Sequence, residues 1–366
     1  MTYKFMKRAL DIAKKGRGQV SPNPLVGAVI VKNNSIIAEG YHEYYGGRHA
    51  ELNALKNCNE NLEDAVMYVT LEPCSHYGKT PPCAEAIVKS GIKQVVVAMK
   101  DPNPLVSGKG ISILEENGIE VVSGVLEAEA KKLNEFFIKY ISENRPFVII
   151  KTAMTLDGKI ATVSGDSKWI TNKLSRAYVH NLRNQVSAIL VGIGTVLNDD
   201  PFLTTRLPDG SGTDPHRIIV DSTAQIPLSA NVLNIDSKAK TIIATTERAD
   251  SSKLSSLEAK GAEIIITPNK TGKVDLTYLL DKLGEMKIDS LLIEGGGQLN
   301  FSAFSTNNVD KVLNFIAPKI IGGKNAITPV TGQGIEYIND AISLTEIDVR
   351  RFDDDILISG YVKKGR

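Results

Sequence analysis

The chain predicts an α/β protein of two domains, and three observations carry that expectation. Its 366 residues exceed what one core of ordinary size requires. Short apolar runs of strand length alternate with amphipathic helical stretches through most of the chain. The stretch Glu143-Asn144-Arg145-Pro146 interrupts that alternation, and a new series begins at Phe147. The domains are therefore expected at 1–145 and 146–366. No internal repeat or low-complexity segment is evident.

In the first domain, Val26–Val31 and Ile36–Ala38 flank Asn33-Asn34, which reads as a hairpin. Ala50–Lys56 predicts a helix, Val66–Leu71 a strand, and Ala84–Ser90 a helix stopped by Gly91. Gln94–Ala98 predicts a strand, Ile111–Glu116 a helix and Ile119–Val122 a strand. Leu126–Ile141 is charged and periodic, and predicts a single closing helix. In the second domain the buried-strand candidates are Phe147–Lys151, Ala188–Val191, Arg217–Val220, Thr241–Ala244, Glu263–Ile266, Ser290–Ile293 and Val312–Ile316. Helical patterns such as Lys173–Asn184 and Leu276–Leu283 lie between several of them.

Composition narrows the function. Apolar residues make up 42% and charged residues 23% of the chain, ordinary values for a globular protein. A formal charge of +1 gives no global field to draw in nucleic acid or a membrane, so neither is expected as a partner. There is no run of about 18 apolar residues and no signal-peptide pattern at the start, so a cytoplasmic location is expected. A homo-oligomer acting on a small molecule is the expected form. Three cysteines, an odd number in a large chain, fit metal ligation better than a disulfide framework.

The chemistry-bearing cluster is His49-Ala50-Glu51, then Pro73-Cys74, then Cys83. One imidazole and two thiols are three zinc ligands, which leave a fourth position for water whose acidity the metal raises. Glu51 is not a ligand in this reading; it carries a proton from the attacking water to a leaving amine. Residues two apart on a helix do not face each other, so His49 and Glu51 converge only at a helix start. Cys83 follows Pro81-Pro82 and opens the next helix, so the site is expected between two helix N-termini. Singly, His49 reads as a satisfied histidine and each cysteine as a small buried hydrophobe; the combination in this order favours zinc. Cys58, in a polar stretch with no partner at ligand spacing, keeps the plain reading.

Eight residues, Ser75 to Pro82, separate the two cysteines, where the general deaminase pattern has two. Ser75-His76-Tyr77-Gly78-Lys79-Thr80 is polar and basic. It reads equally as a partner for a phosphate or ribose and as a solvated loop. Downstream, Val191-Gly192-Ile193-Gly194-Thr195 has two glycines after a strand but no third at the dinucleotide-fold position. Leu292-Ile293-Glu294-Gly295-Gly296-Gly297-Gln298-Leu299-Asn300 is stronger: a strand runs into three glycines and then a helix, where backbone N–H groups can meet a pyrophosphate. A tight strand-to-helix turn is the alternative. No nucleotide-hydrolysing P-loop is present in the sequence.

These residues resemble a known family. Asn23-Pro24-Leu25-Val26-Gly27, His49-Ala50-Glu51, the run Thr70 to Cys83 and Asp101-Pro102-Asn103-Pro104 are similar to the bifunctional deaminase/reductase family of riboflavin biosynthesis. So are Lys151 to Ala161, Gly165 to Thr171, Gly192 to Arg206 and the glycine run after Glu294, so the resemblance covers essentially the whole chain. It implies a cytidine-deaminase-like three-layer domain followed by a dihydrofolate-reductase-like domain. It implies zinc-dependent deamination of a diaminopyrimidinone carrying ribose 5-phosphate, then NADPH-dependent reduction of the ribosyl group to ribityl.

Carried over position by position, His49, Cys74 and Cys83 hold zinc and Glu51 shuttles the proton. Asn23, His42, His76 and Lys79 are candidates for deaminase substrate contact, although His42 also reads as a surface histidine. Ala153, Trp169, Thr195, Asp199, Ser222 and Gly296 line the NADPH site. Ser167, Arg183, Leu203, Arg206 and Glu294 face the phosphorylated reductase substrate, and Lys151 is a candidate to polarise or protonate the sugar. Arg183 and Arg206 suit bidentate phosphate contact, with a surface ion pair as the alternative. Trp169, judged without the family, reads equally as packing or as stacking on a cofactor. Arg248 is the expected cation for a 2′-phosphate. Two other readings compete: a nucleic-acid base deaminase with an RNA-binding second domain, disfavoured by the near-neutral charge and the long spacer, and a structural zinc with His76 as its fourth ligand.

Overall fold

Asn33 and Asn34 both adopt left-handed backbone, with φ of 49° and 59°. That is the geometry of a two-residue hairpin turn, and asparagine tolerates it better than other side chains. The turn joins β1 (Gly27–Lys32) to β2 (Ser35–Tyr41), preceded by helix α1 (Thr2–Ala13). The structure is a computed structural model that describes residues 2–363 apart from residues 76, 78–80 and 104–105. The chain divides into two compact units, Met1–Asn144 and Arg145–Arg366.

The first unit continues with α2 (Ala50–Asn57), β3 (Val66–Val69), α3 (Cys83–Ser90), β4 (Gln94–Val97), α4 (Lys109–Glu116), β5 (Glu120–Ser123), α5 (Glu127–Leu133) and α6 (Glu135–Glu143). Its sheet has the order β2-β1-β3-β4-β5, antiparallel among the first three strands and parallel in the rest. Strand β1 is buried along nearly its whole length, so helices cover both faces. Met6, Ala9, Val29, Ile30, Ala54, Met67, Ile87, Val95 and Leu114 meet in the core. Gly40 sets the seat of α2: a Cβ there would lie 2.2 Å from the Ala54 nitrogen, so only glycine lets the helix settle on β2.

The single closing helix expected over Leu126–Ile141 is instead two, α5 and α6, broken at Asn134. Asn134 is buried; its amide accepts from the Leu25 N–H at 2.8 Å and donates to the Leu25 carbonyl at 3.0 Å. A buried amide must satisfy both ends, and here its partner is 109 residues away, a demand invisible to local periodicity. Helix α1 also went unassigned from the sequence.

The second unit contains β6 (Phe147–Thr155), α7 (Lys173–Arg183), β7 (Ala188–Gly192), α8 (Ile193–Asp199), β8 (His216–Val220), β9 (Thr241–Thr246), α9 (Ser251–Ala259), β10 (Glu263–Thr267), the small pair β11 (Asn269–Lys270) and β12 (Lys273–Val274), α10 (Leu276–Glu285), β13 (Ser290–Ile293), α11 (Gly297–Ser305), β14 (Lys311–Ala317), β15 (Leu344–Phe352) and β16 (Asp355–Val362). Nine strands form one sheet in the order β10-β9-β8-β7-β13-β6-β14-β16-β15. The pairs from β10 to β14 are parallel, and β16 and β15 add antiparallel at one edge. The parallel strands read as continuous apolar runs because apolar clusters lie against both of their faces. Among the described residues, no helix is long and apolar enough to cross a membrane.

Candidate active sites in the two units

In the first unit His49 is the N-cap of α2, with extended backbone, and Glu51 lies in that helix's first turn. Cys83 is the first residue of α3. Side chains from two helix starts thus converge, as the short His49–Glu51 spacing requires. His49 Nδ1 lies 3.4 Å from Cys74 Sγ and 3.3 Å from Cys83 Sγ, and all three donor atoms fall within 4.8 Å of one another. Tetrahedral ligands at ordinary zinc–nitrogen and zinc–sulfur lengths lie about 3.6 Å apart. The donor set therefore fits a zinc ion by both chemistry and spacing.

The backbone before Cys74 is anchored by Glu72, a buried carboxylate the sequence reading left without a role. It accepts four backbone N–H groups, from Asp101 (3.1 Å), Gly108 (3.0 Å), Gly110 (2.9 Å) and Ile111 (3.3 Å). That ties the Cys74 segment to the start of α4, whose N–H groups lack partners within the helix. The Cys83 N–H donates to Cys74 Sγ at 3.3 Å, fixing one thiol against the other.

Electrostatics in this pocket favour a cation. The Cys74 thiol is pulled down to about 4 by hydrogen bonding from Cys83, with His49 adding to the effect. Cys83 is pushed up by Cys74 and by burial, so the pair shares one negative charge. His49 rises to about 8 through its hydrogen bond to Cys74. Glu51, 3% exposed, is pushed up to about 7 chiefly by burial.

His42 is not a surface histidine: it is 3% exposed and stands edge-on to His49 at 5.7 Å between ring centroids. Its Nδ1 is 2.9 Å from the Arg48 carbonyl, which only accepts, so Nδ1 carries the proton and Nε2 accepts from Asn23 Nδ2 at 3.0 Å. Burial lowers its pKa, consistent with a neutral ring. His42 thus orients Asn23, whose carbonyl oxygen has no partner among the described residues. His76 and Lys79 lie outside the described residues. Cys58 packs at the edge of the core, away from the metal-type donors.

In the second unit a cleft of about 850 Å³ opens at the carboxyl ends of β7, β8 and β13, where ligands bind parallel α/β sheets. A smaller one of about 320 Å³ shares Ile160, Ser167, Thr195, Asp199 and Gly296 with it. Ser222 lines the larger cleft; Lys151, Ala153, Trp169, Arg183, Arg206 and Glu294 line the smaller. Gly295 has φ of +119°, and a Cβ added to Gly194, Gly295 or Gly296 meets nothing within 4 Å. Bare backbone therefore faces open space beside the start of α11.

Glu294 organises the smaller cleft. Arg183 donates to it through Nε (2.7 Å) and Nη2 (2.9 Å), and Lys151 Nζ stands 3.2 Å away. Burial works to raise the Glu294 pKa, but the Arg183 and Lys151 charges overcome it and hold the carboxyl far below its usual range. Arg183 also donates to the Thr204 carbonyl at 3.0 Å. Its guanidinium fork is thus closed on Glu294 rather than open to a phosphate, and the alternative of an ion pair holds, in a buried setting rather than at the surface.

The Leu203 side chain goes elsewhere than the cleft, into the apolar cluster with Ile189 and Ile219. Trp169 is 61% exposed, with the Arg176 guanidinium 4.5 Å over its ring, so it is not a core packing residue. Arg248 is exposed and donates to the Gly272 carbonyl; Lys273 lines the larger cleft instead.

Three residues in these clefts escaped the sequence reading. Asp221 Oδ1 and Asn300 Oδ1 are buried with no hydrogen-bond partner among the described residues, one in each cleft. His180 lies in the smaller cleft, its pKa lowered to about 4 by burial and by Arg183 and Arg206. Asp221 was findable, since it directly follows a predicted buried strand. Orphaned acceptors, bare glycine backbone and this volume fit a hydroxyl-bearing dinucleotide.

Fold and sites together define a two-domain deaminase–reductase: a zinc-type hydrolytic site on one α/β unit and a nucleotide-sized cleft on another. The family model for the cytidine and deoxycytidylate deaminase zinc-binding region matches residues 2–99, and that for the RibD C-terminal domain matches 146–358. Riboflavin biosynthesis protein RibD of Actinobacillus pleuropneumoniae is 48% identical over 98% of this chain and 94% of its own length. The Aquifex aeolicus protein of the same name is 45% identical over 97% and 96%. A solved diaminohydroxyphosphoribosylaminopyrimidine deaminase/5-amino-6-(5-phosphoribosylamino)uracil reductase from Thermotoga maritima superposes with a TM-score of 0.88 at 42% identity, covering 99% of each chain.

The chain belongs to the RibD family: it is a bifunctional deaminase and reductase of riboflavin biosynthesis. Its first domain is cytidine-deaminase-like and zinc-binding, and its second is the dihydrofolate-reductase-like reductase domain.

Proposed function

We propose that residues 1–145 deaminate 2,5-diamino-6-ribosylamino-4(3H)-pyrimidinone 5′-phosphate and that residues 146–366 reduce the ribosyl group of the resulting aminouracil with NADPH. The observation that carries the first half is Glu51, buried beside three metal-type donors within 4.8 Å of one another. His49, Cys74 and Cys83 would hold zinc, which supplies a Lewis acid that makes water nucleophilic near neutral pH. Glu51 takes a proton from the attacking water and delivers it to the amine that departs as ammonia. Asn23, held by His42, offers its carbonyl oxygen to a ring N–H or amino group. His76 and Lys79, beside Cys74 in sequence, are proposed to meet the ribose phosphate.

In the second domain a bound NADPH would supply hydride chemistry at the sugar's C1′. Ala153, Trp169, Thr195, Asp199, Ser222 and Gly296 are proposed to hold it. Lys151 protonates the sugar oxygen as the ring opens, with its ammonium aimed by Glu294. Ser167, Arg206 and the backbone at Leu203 position the phosphorylated substrate, while Arg183 acts through Glu294. A cytoplasmic homo-oligomer acting on this small molecule is part of the same proposal, and analytical ultracentrifugation tests the assembly.

The deciding experiment is a coupled assay with the diaminopyrimidinone ribotide that follows ammonia and NADPH separately. One ammonia and one NADPH per substrate are expected. Ammonia release from cytidine or a tRNA anticodon stem, with none from the ribotide, would overturn the reading.

A further inference from the structure

At the opposite end of the reductase sheet from the two clefts, the amino ends of β8 and β9 and the turn before β10 border a half-open cavity of about 250 Å³. Arg217, Lys238, Lys240 and Lys260 line it. Arg217 is 2% exposed, the largest of the fully buried side chains. Its Nε donates to Thr241 Oγ1 at 3.0 Å, its Nη1 to Ser237 Oγ at 3.4 Å and its Nη2 to the Ala239 carbonyl. All three acceptors are neutral, and two of the five guanidinium N–H groups are left over.

The contrast with Arg183 is informative. Both guanidinia are well buried, but Arg183 meets a carboxylate in a bidentate pair and Arg217 meets none. Asp214 attracts Arg217 through space without a hydrogen bond to it, and Ser237 bridges the two, donating to Asp214 at 2.8 Å. Around the cavity, Lys240 pairs with Glu263 at 3.0 Å and Lys260 donates to Asn234 at 2.9 Å. Lys238 is exposed and has no hydrogen bond or ion pair among the described residues. The residues that line the cavity thus include four cations and no carboxylate. A buried guanidinium with no carboxylate in direct contact is poorly compensated, and an anion in the cavity would supply that contact.

We propose that this cavity is a second anion site, binding a small phosphate-class oxyanion between the spare Arg217 N–H groups and Lys238. It shares no residue with the two clefts, the larger of which lies at the carboxyl end of β8. The volume admits one phosphate group with a small substituent and excludes a dinucleotide.

The test is thermal unfolding of the full chain in sodium phosphate against sodium chloride at matched ionic strength. Wild type, Lys238→Glu, Arg217→Met and Arg206→Ala are compared. Phosphate is expected to raise the wild-type Tm beyond chloride and to keep most of that rise in Arg206→Ala, which removes only the contribution of the proposed substrate-phosphate site. Lys238→Glu is expected to keep the wild-type Tm in chloride and to weaken the phosphate response about tenfold. Arg217→Met removes the response as well; if it does not fold, Lys238→Glu still decides. No phosphate-specific shift in the wild type, an undiminished shift in Lys238→Glu, or loss of the shift in Arg206→Ala would each overturn the proposal.

Discussion

Glu51 and Glu294 are both buried carboxyls at the centre of a candidate active site, and their surroundings drive them in opposite directions. Glu51 has thiols and an imidazole for neighbours, and burial pushes it up to about 7, where a carboxyl can take and give a proton. Glu294 is gripped by Arg183 and Lys151 and stays ionised far below the usual range. In the proposed mechanism one carries a proton and the other is a fixed charge that aims an ammonium. Residue type does not decide between these roles; the nearest charges do.

The largest expected effect breaks the carrier. Glu51→Gln keeps the size and removes the titrating oxygen, so ammonia release should fall by about a thousandfold or more. Metal analysis should still find one zinc per chain, and NADPH oxidation on pre-deaminated substrate should be unchanged. Loss of both activities would mean that Glu51 holds the fold rather than the proton.

Next is the fixed charge. Glu294→Gln leaves Arg183 and Lys151 buried without a counter-ion, which costs about 3–5 kcal/mol. Urea denaturation should show the loss in the reductase domain, NADPH oxidation should drop, and ammonia release should persist. Equal loss of both activities would contradict the separation of the two sites.

A third prediction sharpens the comparison through pH. His180, lowered to about 4 from an ordinary 6.5, is neutral in the folded protein while the unfolded chain takes up its proton first. Its contribution is therefore full above pH 6.5 and declines as pH falls towards 4. Glu294, also lowered, adds its own loss only below the ordinary carboxyl value of 4.5. His180→Gln should flatten the stability profile between pH 6.5 and 4 and leave the steeper acid limb intact. An unchanged slope in that window would show that His180 does not titrate as its surroundings require.

The smallest effect concerns cofactor choice. Lys273 lines the larger cleft, whereas Arg248 is tied to the Gly272 carbonyl. Lys273→Ala should raise the KM for NADPH up to about fivefold, the worth of one exposed charge pair, and leave that for NADH unchanged. Arg248→Ala should do less. The reverse order would restore Arg248 as the 2′-phosphate partner.

Much of the first site was legible because its chemistry is local. His49 and Glu51 are two residues apart, Cys83 follows two prolines, and helix starts are written in short-range signals. Glu72 was not legible: its four N–H partners lie in a loop and helix start 29 to 39 residues onward. In the second domain the glycines after Glu294 marked the cleft floor. Nothing local marked Asn300 as an orphaned acceptor, or Leu203 as core rather than cleft.

The sequence alone determined the alternating strands and helices, the break near residue 145 and the order of the zinc-type donors. Those depend on hydrophobic period, turn chemistry and residue type, which act over a few positions. Only the tertiary structure decided which charges are partnered. Arg183 found Glu294 across 111 residues, Asn134 found Leu25 across 109, and Arg217 found only neutral hydrogen-bond acceptors among the described residues. Burial fixes the value of each of those meetings, because a polar group away from water is governed by whatever long-range packing sets beside it.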